Sequence, residues 1–271
     1  GSDYVEGGDG NDPVYGGLGP SFPDELNITD EDTGFPSPDL VTDNGMDTIY
    51  GGAGEDVIYG EDDNDLIFGG DDNDYIDGGI DQDTIDAGEG DDTLIGGQGD
   101  DFLDGNIGND EMTGGDGNDT FLELSAEGAD TITDFGVGDT GSITDGDQTN
   151  NDFVDLSSFY NDTTVADVNA AGGDFDTPLE MMRADAEDGR LDGNINGTDY
   201  SGQIGGVDLT LQDGAGGAVT GSALTYDNTN VPCFVSGTLI ATRRGSVPIE
   251  ELKAGDEVIT MDHGFQKIRW I

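Results

Sequence analysis

The chain has 271 residues, of which 62 are acidic and 7 are basic, so its formal net charge is −55 at pH 7. This charge excludes nucleic acid and anionic membrane surfaces as partners, because like charges repel at each encounter. The sequence also contains no apolar run long enough for membrane insertion, and its first residues show no signal-peptide pattern.

The charge is distributed unevenly along the chain. No Lys or Arg occurs before Arg183, and only Arg183 and Arg190 precede the single cysteine, Cys233. Five acidic and five basic residues follow Cys233, so the tail is neutral, and it also holds the only histidine, His263, and the only tryptophan, Trp270. We therefore interpret the chain as two unlike parts joined near Cys233. One cysteine forms no internal disulfide, so cysteine pairing does not indicate a redox compartment.

A chain this acidic is either disordered or neutralised by bound cations. Its periodicity favours the second alternative, because an aspartate recurs every nine residues and an apolar side chain follows two positions after each one. Glycines precede the aspartates, as in GGAGEDVIY (51–59) and GGQGDDFLD (96–104). The nine uninterrupted copies are centred on Asp47, Asp56, Asp65, Asp74, Asp83, Asp92, Asp101, Asp110 and Asp119.

Two aspartates near the N-terminus belong to the same series. Asp3 and Asp12 lie nine residues apart, but 35 residues separate Asp12 from Asp47. This interval is one residue short of four periods and contains a segment rich in proline and acids. We therefore predict that residues 20–43 loop out of a repeat domain spanning 1–124. Because the sequence starts in mid-repeat, we also expect further sequence upstream.

The repeat follows the pattern G-G-x-G-x-D-x-U-x, in which U is apolar. Glycines adopt the positive φ values of a tight turn and let main-chain carbonyls approach a common point. The residues x-U-x form a short strand whose central side chain alone faces inward, because side chains alternate across a strand. Two turns and two strands make an 18-residue coil, and stacked coils make a right-handed parallel β-roll. One edge of this roll is predicted to carry Asp47, Asp65, Asp83, Asp101 and Asp119, and the other Asp56, Asp74, Asp92 and Asp110.

These repeats resemble those of RTX (repeats-in-toxin) exoproteins, which bind calcium. The resemblance covers residues 1–19 and 44–124. It implies an all-β roll that holds several Ca2+ ions between stacked turns, where oxygen ligands suit a hard cation. If each site joins repeat i to repeat i+2, nine repeats supply seven sites. The resemblance further implies a secreted protein that leaves by type I secretion machinery as an unfolded chain and folds outside the cell in calcium.

The resemblance assigns the calcium ligands by their position in the repeat. Sixth-position aspartates of two repeats supply side-chain oxygens, while carbonyls come from positions two and four of the first repeat and one and three of the second. Asp63, Asp72 and Asp81 replace the fourth-position glycine and are expected in the left-handed region, which Asp tolerates better than most residues. One site would combine Gly52, Gly54 and Asp56 with Gly69, Asp71 and Asp74. The predicted metal ligands are Asp12, Asp47, Gly52, Gly54, Asp56, Asp63, Asp65, Gly69, Asp71, Asp74, Gly78, Asp83, Gly88, Gly90, Asp92, Gly97, Gly99, Asp101, Gly108, Asp110, Gly117 and Asp119.

Residues 125–230 lose the nine-residue period and are predicted to form a β-rich cap with one short helix near 178–188. Thr177 as N-cap, Pro178 at the first helical position and Glu180 in a capping box favour this helix. The cap contains no metalloprotease, nucleophile-elbow or phosphate-loop motif, so no catalytic set is predicted in it. Alternating polar and apolar residues predict strands within 128–140, 151–159, 206–214 and 221–228.

The tail from 231 to 271 resembles the start of a Hint (hedgehog/intein) domain. The resemblance rests on Cys233-Phe234, Gly237-Thr238, the Ile-Ala-Thr of 240–242 and the Ile-Glu-Glu-Leu of 249–252. It implies that the Cys233 thiol is an autoprocessing nucleophile, which attacks the carbonyl of the preceding proline in an N-to-S acyl shift. Without this motif, a lone cysteine is interpreted as a small buried hydrophobe.

Hint domains also use a downstream histidine in a TxxH setting. His263 stands instead in MDHG, where a turn residue is the better interpretation. We therefore expect residues 231–271 to be an incomplete N-terminal part of a Hint domain that does not process itself.

Three functions remain open from the sequence. The first is a secreted calcium-binding protein with a structural or adhesive role, whose partners are calcium ions and a cell-surface or matrix ligand. The second is an autoprocessing protein cleaved before Cys233. The third is the C-terminal part of a secreted hydrolase whose catalytic domain lies upstream.

Overall fold

The computed structural model describes residues 4–16, 46–122, 128–136, 152–231, 239–242, 245–248, 257–260 and 264–267. Two sheets form the faces of a β-roll, and the chain crosses from one to the other after each strand. The first sheet contains, in spatial order, β1 (Tyr4–Asp9), β3 (Thr48–Ala53), β5 (Leu66–Asp71), β7 (Thr84–Glu89), β9 (Phe102–Asp104), β11 (Thr120–Leu122) and β13 (Phe153–Val154). The second contains β2 (Pro13–Tyr15), β4 (Val57–Glu61), β6 (Tyr75–Ile80), β8 (Thr93–Gln98), β10 (Glu111–Asp116), β12 (Asp130–Ile132), β17 (Leu209–Leu211) and β14 (Arg190–Leu191).

The strands of the roll pair in parallel with a register of one 18-residue coil. Ile49 faces Ile67 in the first sheet, and Ile58 faces Ile76 in the second. The predicted parallel roll is therefore confirmed, and it is β-rich with a few short helices in the cap. All nine U-position side chains are 0–1% exposed, which makes them the core of the roll.

The strands are longer than the predicted x-U-x triplets. Most extend through the first two glycines of the following repeat, so the first glycine also faces inward, as Gly51 does in β3. Within each x-U-x triplet only the U residue faces inward, as predicted, and the glycine that follows adds a second inward position that was not predicted. Strand alternation explains the difference, since Gly51 lies two residues after Ile49 and must point to the same side.

The first coil joins the rest of the roll without a break in register. Strand β1 pairs with β3 and β2 pairs with β4, both in parallel. The chain between Gly16 and Met46 therefore connects neighbouring coils, as the interpretation of 20–43 as an insertion requires. Residues 17–45 lie outside the described part of the chain.

The cap packs on the C-terminal end of the roll by extending both sheets. Strand β12 pairs in parallel with β10 and β17, and β17 pairs antiparallel with β14. The predicted helix is present as α2 (Pro178–Asp185), continued by a 3-10 turn to Asp188. Thr177 caps it by accepting from the Glu180 N–H at 3.1 Å, whereas the Glu180 carboxylate accepts from Asp176 rather than from Thr177.

The cap is more helical than predicted. It also contains α1 (Asp162–Ala170), whose N-cap Asn161 and third residue Thr164 exchange side-chain to main-chain hydrogen bonds. The strand predicted within 221–228 is wrong, because the segment forms a 3-10 turn and the helix α4 (Tyr226–Thr229). Asn228 causes this turn by accepting from the Thr225 N–H and donating to the Ala223 carbonyl. The remaining cap elements are β15 (Asn194–Ile195), β16 (Thr198–Asp199) and α3 (Ser201–Ile204).

The described parts of the tail form an antiparallel sheet of four strands in the order β19-β18-β20-β21. These strands are β18 (Leu239–Thr242), β19 (Gly245–Pro248), β20 (Glu257–Thr260) and β21 (Gly264–Lys267). Both Cys233 and His263 lie outside the described residues. Among the helices that the structure describes, none has the length and apolar character needed to cross a bilayer.

Candidate metal sites

The repeat aspartates form two hydrogen-bonded rows, one along each edge of the roll. Each main-chain N–H donates to the Oδ1 atom of the aspartate one coil further along, at 2.7–2.9 Å. All nine carboxylates are buried, with at most 6% of the residue exposed. The pairs are Asp47–Asp65, Asp65–Asp83, Asp83–Asp101 and Asp101–Asp119 on one edge, and Asp56–Asp74, Asp74–Asp92 and Asp92–Asp110 on the other.

The second carboxylate oxygen of these aspartates faces the space between coils. In seven of them Oδ2 is buried and accepts no hydrogen bond from the described residues, a costly arrangement for an ionised oxygen. Burial raises the pKa of Asp83 to about 10 and that of Asp65 to about 8, with neighbouring carboxylates adding to the effect. At neutral pH the Asp83 and Asp65 carboxyl groups therefore need a proton or a cation. The seven are Asp56, Asp65, Asp74, Asp83, Asp92, Asp101 and Asp110.

Main-chain carbonyls lie close to these free oxygens. A Cβ atom on Gly51 would lie 2.6 Å from Asp56 Oδ2 and 2.6 Å from the carbonyl oxygen of Gly69. A Cβ atom on Gly69 would likewise lie 2.5 Å from Asp74 Oδ2 and 2.5 Å from the carbonyl oxygen of Ala87. The first-position glycine thus leaves room for a carboxylate oxygen and a carbonyl oxygen from two successive coils. Carboxylate and carbonyl oxygens are the types of ligand that suit Ca2+.

The turn residues adopt the backbone conformation that the repeat predicts. Asp63, Asp72 and Asp81 have φ values of 75°, 77° and 78°, so they take the left-handed region in place of glycine. The second-position residue Glu61 does the same with a φ of 83°, which was not predicted. The predicted glycine ligands with positive φ are Gly52, Gly54, Gly88, Gly90, Gly97, Gly99, Gly108 and Gly117.

Family models match both parts of the chain. A model described as the RTX calcium-binding nonapeptide repeat matches residues 1–22, 41–76, 50–85, 60–94 and 86–121. The roll is built of RTX calcium-binding repeats. A second model, described as a Hint domain, matches residues 232–271. No curated protein and no solved structure matches the chain.

The RTX roll brings the predicted aspartates together in two rows and places the predicted carbonyls of Gly69 and Gly78 beside the Oδ2 atoms of Asp56 and Asp65. The main-chain carbonyl of Asp71, one of the predicted ligands, accepts a hydrogen bond from the Gly54 N–H at 3.1 Å. This bond uses one of the two lone pairs of the oxygen, so one lone pair is left for a cation. Among the described residues, no three His, Cys, Asp or Glu side chains form a group suited to a metal ion. Each site would therefore combine two carboxylates with main-chain carbonyls.

The aspartate row that contains Asp56 continues to Asp12, which precedes the predicted insertion in the sequence. The Asp12 N–H donates to Asp56 Oδ1 at 2.7 Å, the same bond that joins the later repeats. Asp12 is only half-buried, because it belongs to the first coil that the structure describes. Asp3 lies outside the described residues.

Sequence reasoning missed two aspartates that extend the rows at the other end. The Asp110 N–H donates to Asp130, and the Asp119 N–H donates to Asp152. Intervals of 20 and 33 residues hide them from a search for a nine-residue period. The remaining sequence signal is the D-x-U spacing in Asp130-Thr131-Ile132 and Asp152-Phe153-Val154.

Proposed function

We propose that this chain is a secreted calcium-binding protein whose roll folds when Ca2+ binds and then serves as a structural or adhesive module outside the cell. The observation that carries this proposal is the set of seven buried aspartate Oδ2 atoms that accept no hydrogen bond from the part of the chain that the structure describes. A divalent cation between coils would neutralise these oxygens and use the carbonyls beside them as further ligands.

The same rows explain why folding would depend on calcium. Neighbouring strands of a sheet lie about 4.8 Å apart, so successive carboxylates of a row repel one another when no cation separates them. Residues 44–122 also carry no Lys or Arg that could serve as a counter-ion. Metal binding and folding are therefore coupled, as in other small domains whose ligands meet only in the folded state.

Secretion and adhesion are the finer parts of the proposal. An acidic chain that stays unfolded at low calcium suits passage through type I secretion machinery, and millimolar calcium outside the cell would then fold it. The match to RTX calcium-binding repeats supports this route, because a chain that needs calcium to fold would stay unfolded until it reaches the calcium outside the cell. A cell-surface or matrix ligand is the partner that an adhesive role requires.

Removal of calcium tests the central claim. Circular dichroism of the full chain should show little β-structure in EDTA and a β spectrum in millimolar CaCl2. MgCl2 at the same concentration serves as the control, because Mg2+ retains its waters and demands octahedral geometry. The variant Asp83→Asn should need more calcium to fold, since it removes one charge from the middle of a row. An identical β signal with and without EDTA would overturn the proposal.

The Hint segment supports a second candidate function, self-cleavage between Pro232 and Cys233. It is the alternative to the expectation that the segment does not process itself without a TxxH histidine, and the two differ in whether this chain is cleaved. The Hint match begins at residue 232. The chain just before it is fixed to the roll, because the Leu156 N–H donates to the Thr229 carbonyl at 3.0 Å and Val231 is fully buried. A scissile peptide held at its upstream side is suited to attack by a neighbouring thiol.

In the proposed step, Cys233 Sγ attacks the carbonyl carbon of Pro232. The peptide C–N bond breaks, a thioester forms, and the proton from the thiol passes to the released amine of Cys233. Water then hydrolyses the thioester, which leaves a carboxylate on Pro232 and restores the thiol.

Intact-mass spectrometry of the purified chain tests self-cleavage. Wild type should yield a fragment that ends at Pro232 and a second that begins at Cys233, while Cys233→Ala should remain whole. Cys233→Ser should be cleaved much more slowly than wild type, because a serine alcohol is a weaker nucleophile than a cysteine thiolate. Wild-type protein that keeps its full mass during prolonged incubation would remove this candidate.

A further inference from the structure

Two segments of the cap reproduce the repeat geometry beyond the last RTX nonapeptide. In β12, Ile132 follows Asp130 by two residues and is fully buried in register with β10. In β13, Val154 follows Asp152 by two residues and is fully buried beside β11. Both segments therefore place an aspartate and an apolar side chain where the next coil of the roll would place them.

The aspartates of these segments make the same hydrogen bond as those of the repeats. The Asp110 N–H donates to Asp130 Oδ1 at 2.9 Å, and the Asp119 N–H donates to Asp152 Oδ1 at 3.0 Å. Asp130 is 7% exposed and Asp152 is 1% exposed, values close to those of the repeat aspartates. Each carboxylate is thus the last member of one row.

The turn beside Asp130 also continues the stacking of the repeat turns. The Ala129 N–H donates to Asn109 Oδ1 at 3.0 Å, as the Asn109 N–H donates to Asp91 one coil earlier. Gly128 lies directly over the carbonyl of Gly108, where a Cβ atom would not fit. In the coil before Asp130, the Oδ2 atom of Asp110 is buried and accepts no hydrogen bond from the described residues.

Beyond these two aspartates the rows are closed by other groups. The Asp130 N–H donates to the main-chain carbonyl of Asp208 at 2.9 Å, and the Asp208 carboxylate forms a bidentate pair with Arg190 at 2.6 Å for both bonds. Asp152 Oδ2 accepts from the Gly136 N–H at 2.6 Å. Asp130 thus meets a main-chain carbonyl in place of a further row carboxylate, and a main-chain amide binds Asp152 Oδ2 on the other edge.

We infer that Asp130 and Asp152 are calcium ligands, and that they complete two cation sites with Asp110 and Asp119 respectively. This inference rests on the proposed function, namely that the aspartate rows bind calcium. Asp130 and Asp152 lie outside the repeats matched by the family model. Their two sites add to the seven predicted between the repeats of Asp47 and Asp119. Calcium bound there would also tie the cap strands β12 and β13 to the roll.

Equilibrium dialysis with radioactive calcium tests the inference on the full chain by counting bound ions. The variant Asp130→Asn keeps the oxygen that accepts from the N–H of the preceding aspartate of its row but loses the charge. Asp152→Asn also keeps this oxygen, but it loses both the charge and the bond from the Gly136 N–H. Each should bind one ion fewer than wild type. Asp199→Asn is the matched control, since Asp199 is an exposed residue of the cap strand β16 whose carboxylate accepts hydrogen bonds from Ser201. It should retain the full number of ions.

Hydrogen exchange with mass spectrometry separates the loss of one site from the loss of the fold. In calcium, amides of 46–104 should remain protected in both variants, while calcium-dependent protection of 128–136 should fall in Asp130→Asn and that of 152–156 in Asp152→Asn. An unchanged ion count would overturn the inference. Loss of protection throughout 46–104 would also overturn it, because the residue would then act as a general folding cap. Wild type that binds no calcium at all would instead refute the proposed function, and the inference with it.

Discussion

Gly97 illustrates why most repeats carry glycine at the second position. Its φ is 116°, in a region that side chains rarely adopt, and a Cβ atom there would collide with the carbonyl of Gly79 in the preceding coil. The carbonyls of this position are predicted calcium ligands. Glycine therefore serves both the backbone conformation and the approach of an oxygen to the cation.

Two alanine variants separate these two requirements. Gly8 holds the second position of the first coil with a φ of 108°, but no described atom lies within 4 Å of its missing Cβ. Gly8→Ala should lower the free energy of unfolding in calcium by about 1–2 kcal/mol through backbone strain alone. Gly97→Ala should cost about 1–3 kcal/mol more, because a neighbouring carbonyl must move. Urea unfolding in millimolar calcium measures both, and equal losses would contradict this account.

Residue identity predicted the aspartate ligands and their turns because each depends on local chemistry. Asp72 replaces glycine and still reaches a φ of 77°, since a short polar side chain tolerates the left-handed region. The inward position of Gly51 was missed because a residue without a side chain leaves no apolar signal. Its role becomes visible only when the neighbouring coil and its carbonyl are in place.

At the scale of elements, strands within the repeat were predictable because their register follows from a fixed period. Strands β12 and β13 were harder, since intervals of 20 and 33 residues conceal the same spacing. Helix α1 was missed because Thr163, Thr164 and Val165 are β-branched, which lowers helix propensity. Its formation depends on the capping exchange at Asn161 and on packing in the core of the cap, where Val165 and Val168 are buried.

The last strand of the first sheet links the roll to the segment before the Hint match. Asp152 is the last aspartate of one row. Three residues after it, the Asp155 carboxylate accepts a hydrogen bond from the Asn230 side chain at 3.0 Å. The chain from 152 to 156 therefore contacts both a candidate calcium site and the residues that precede Pro232. No pattern in the sequence joins these segments, which lie 75 residues apart at the Asp155–Asn230 bond.

At the scale of the whole molecule, the insertion offers a direct test of the repeat as a physical unit. Asp12 bonds to Asp56 across an interval of 44 residues, whereas later members of the rows bond across 18. The difference is 26 residues. Removal of 17–42 would join Gly16 to Asp43 and create Gly-Asp-Asn-Gly-Met-Asp, with glycine at positions one and four and Asp47 at position six.

We predict that the 17–42 deletion folds at a lower calcium concentration than wild type. Each halving of a closed loop saves about 0.6 kcal/mol, so replacing the long connection by a repeat turn should stabilise the roll by about 2 kcal/mol. Deletion of 17–43 is the matched control, because the turn from Gly16 to Met46 then has four residues instead of five before Asp47. The missing residue breaks the repeat spacing that places alternate side chains inside. Calcium titrations followed by circular dichroism compare the three proteins. If the two deletions behaved alike, or if the 17–42 deletion needed more calcium than wild type, the first coil would not be governed by the nine-residue period.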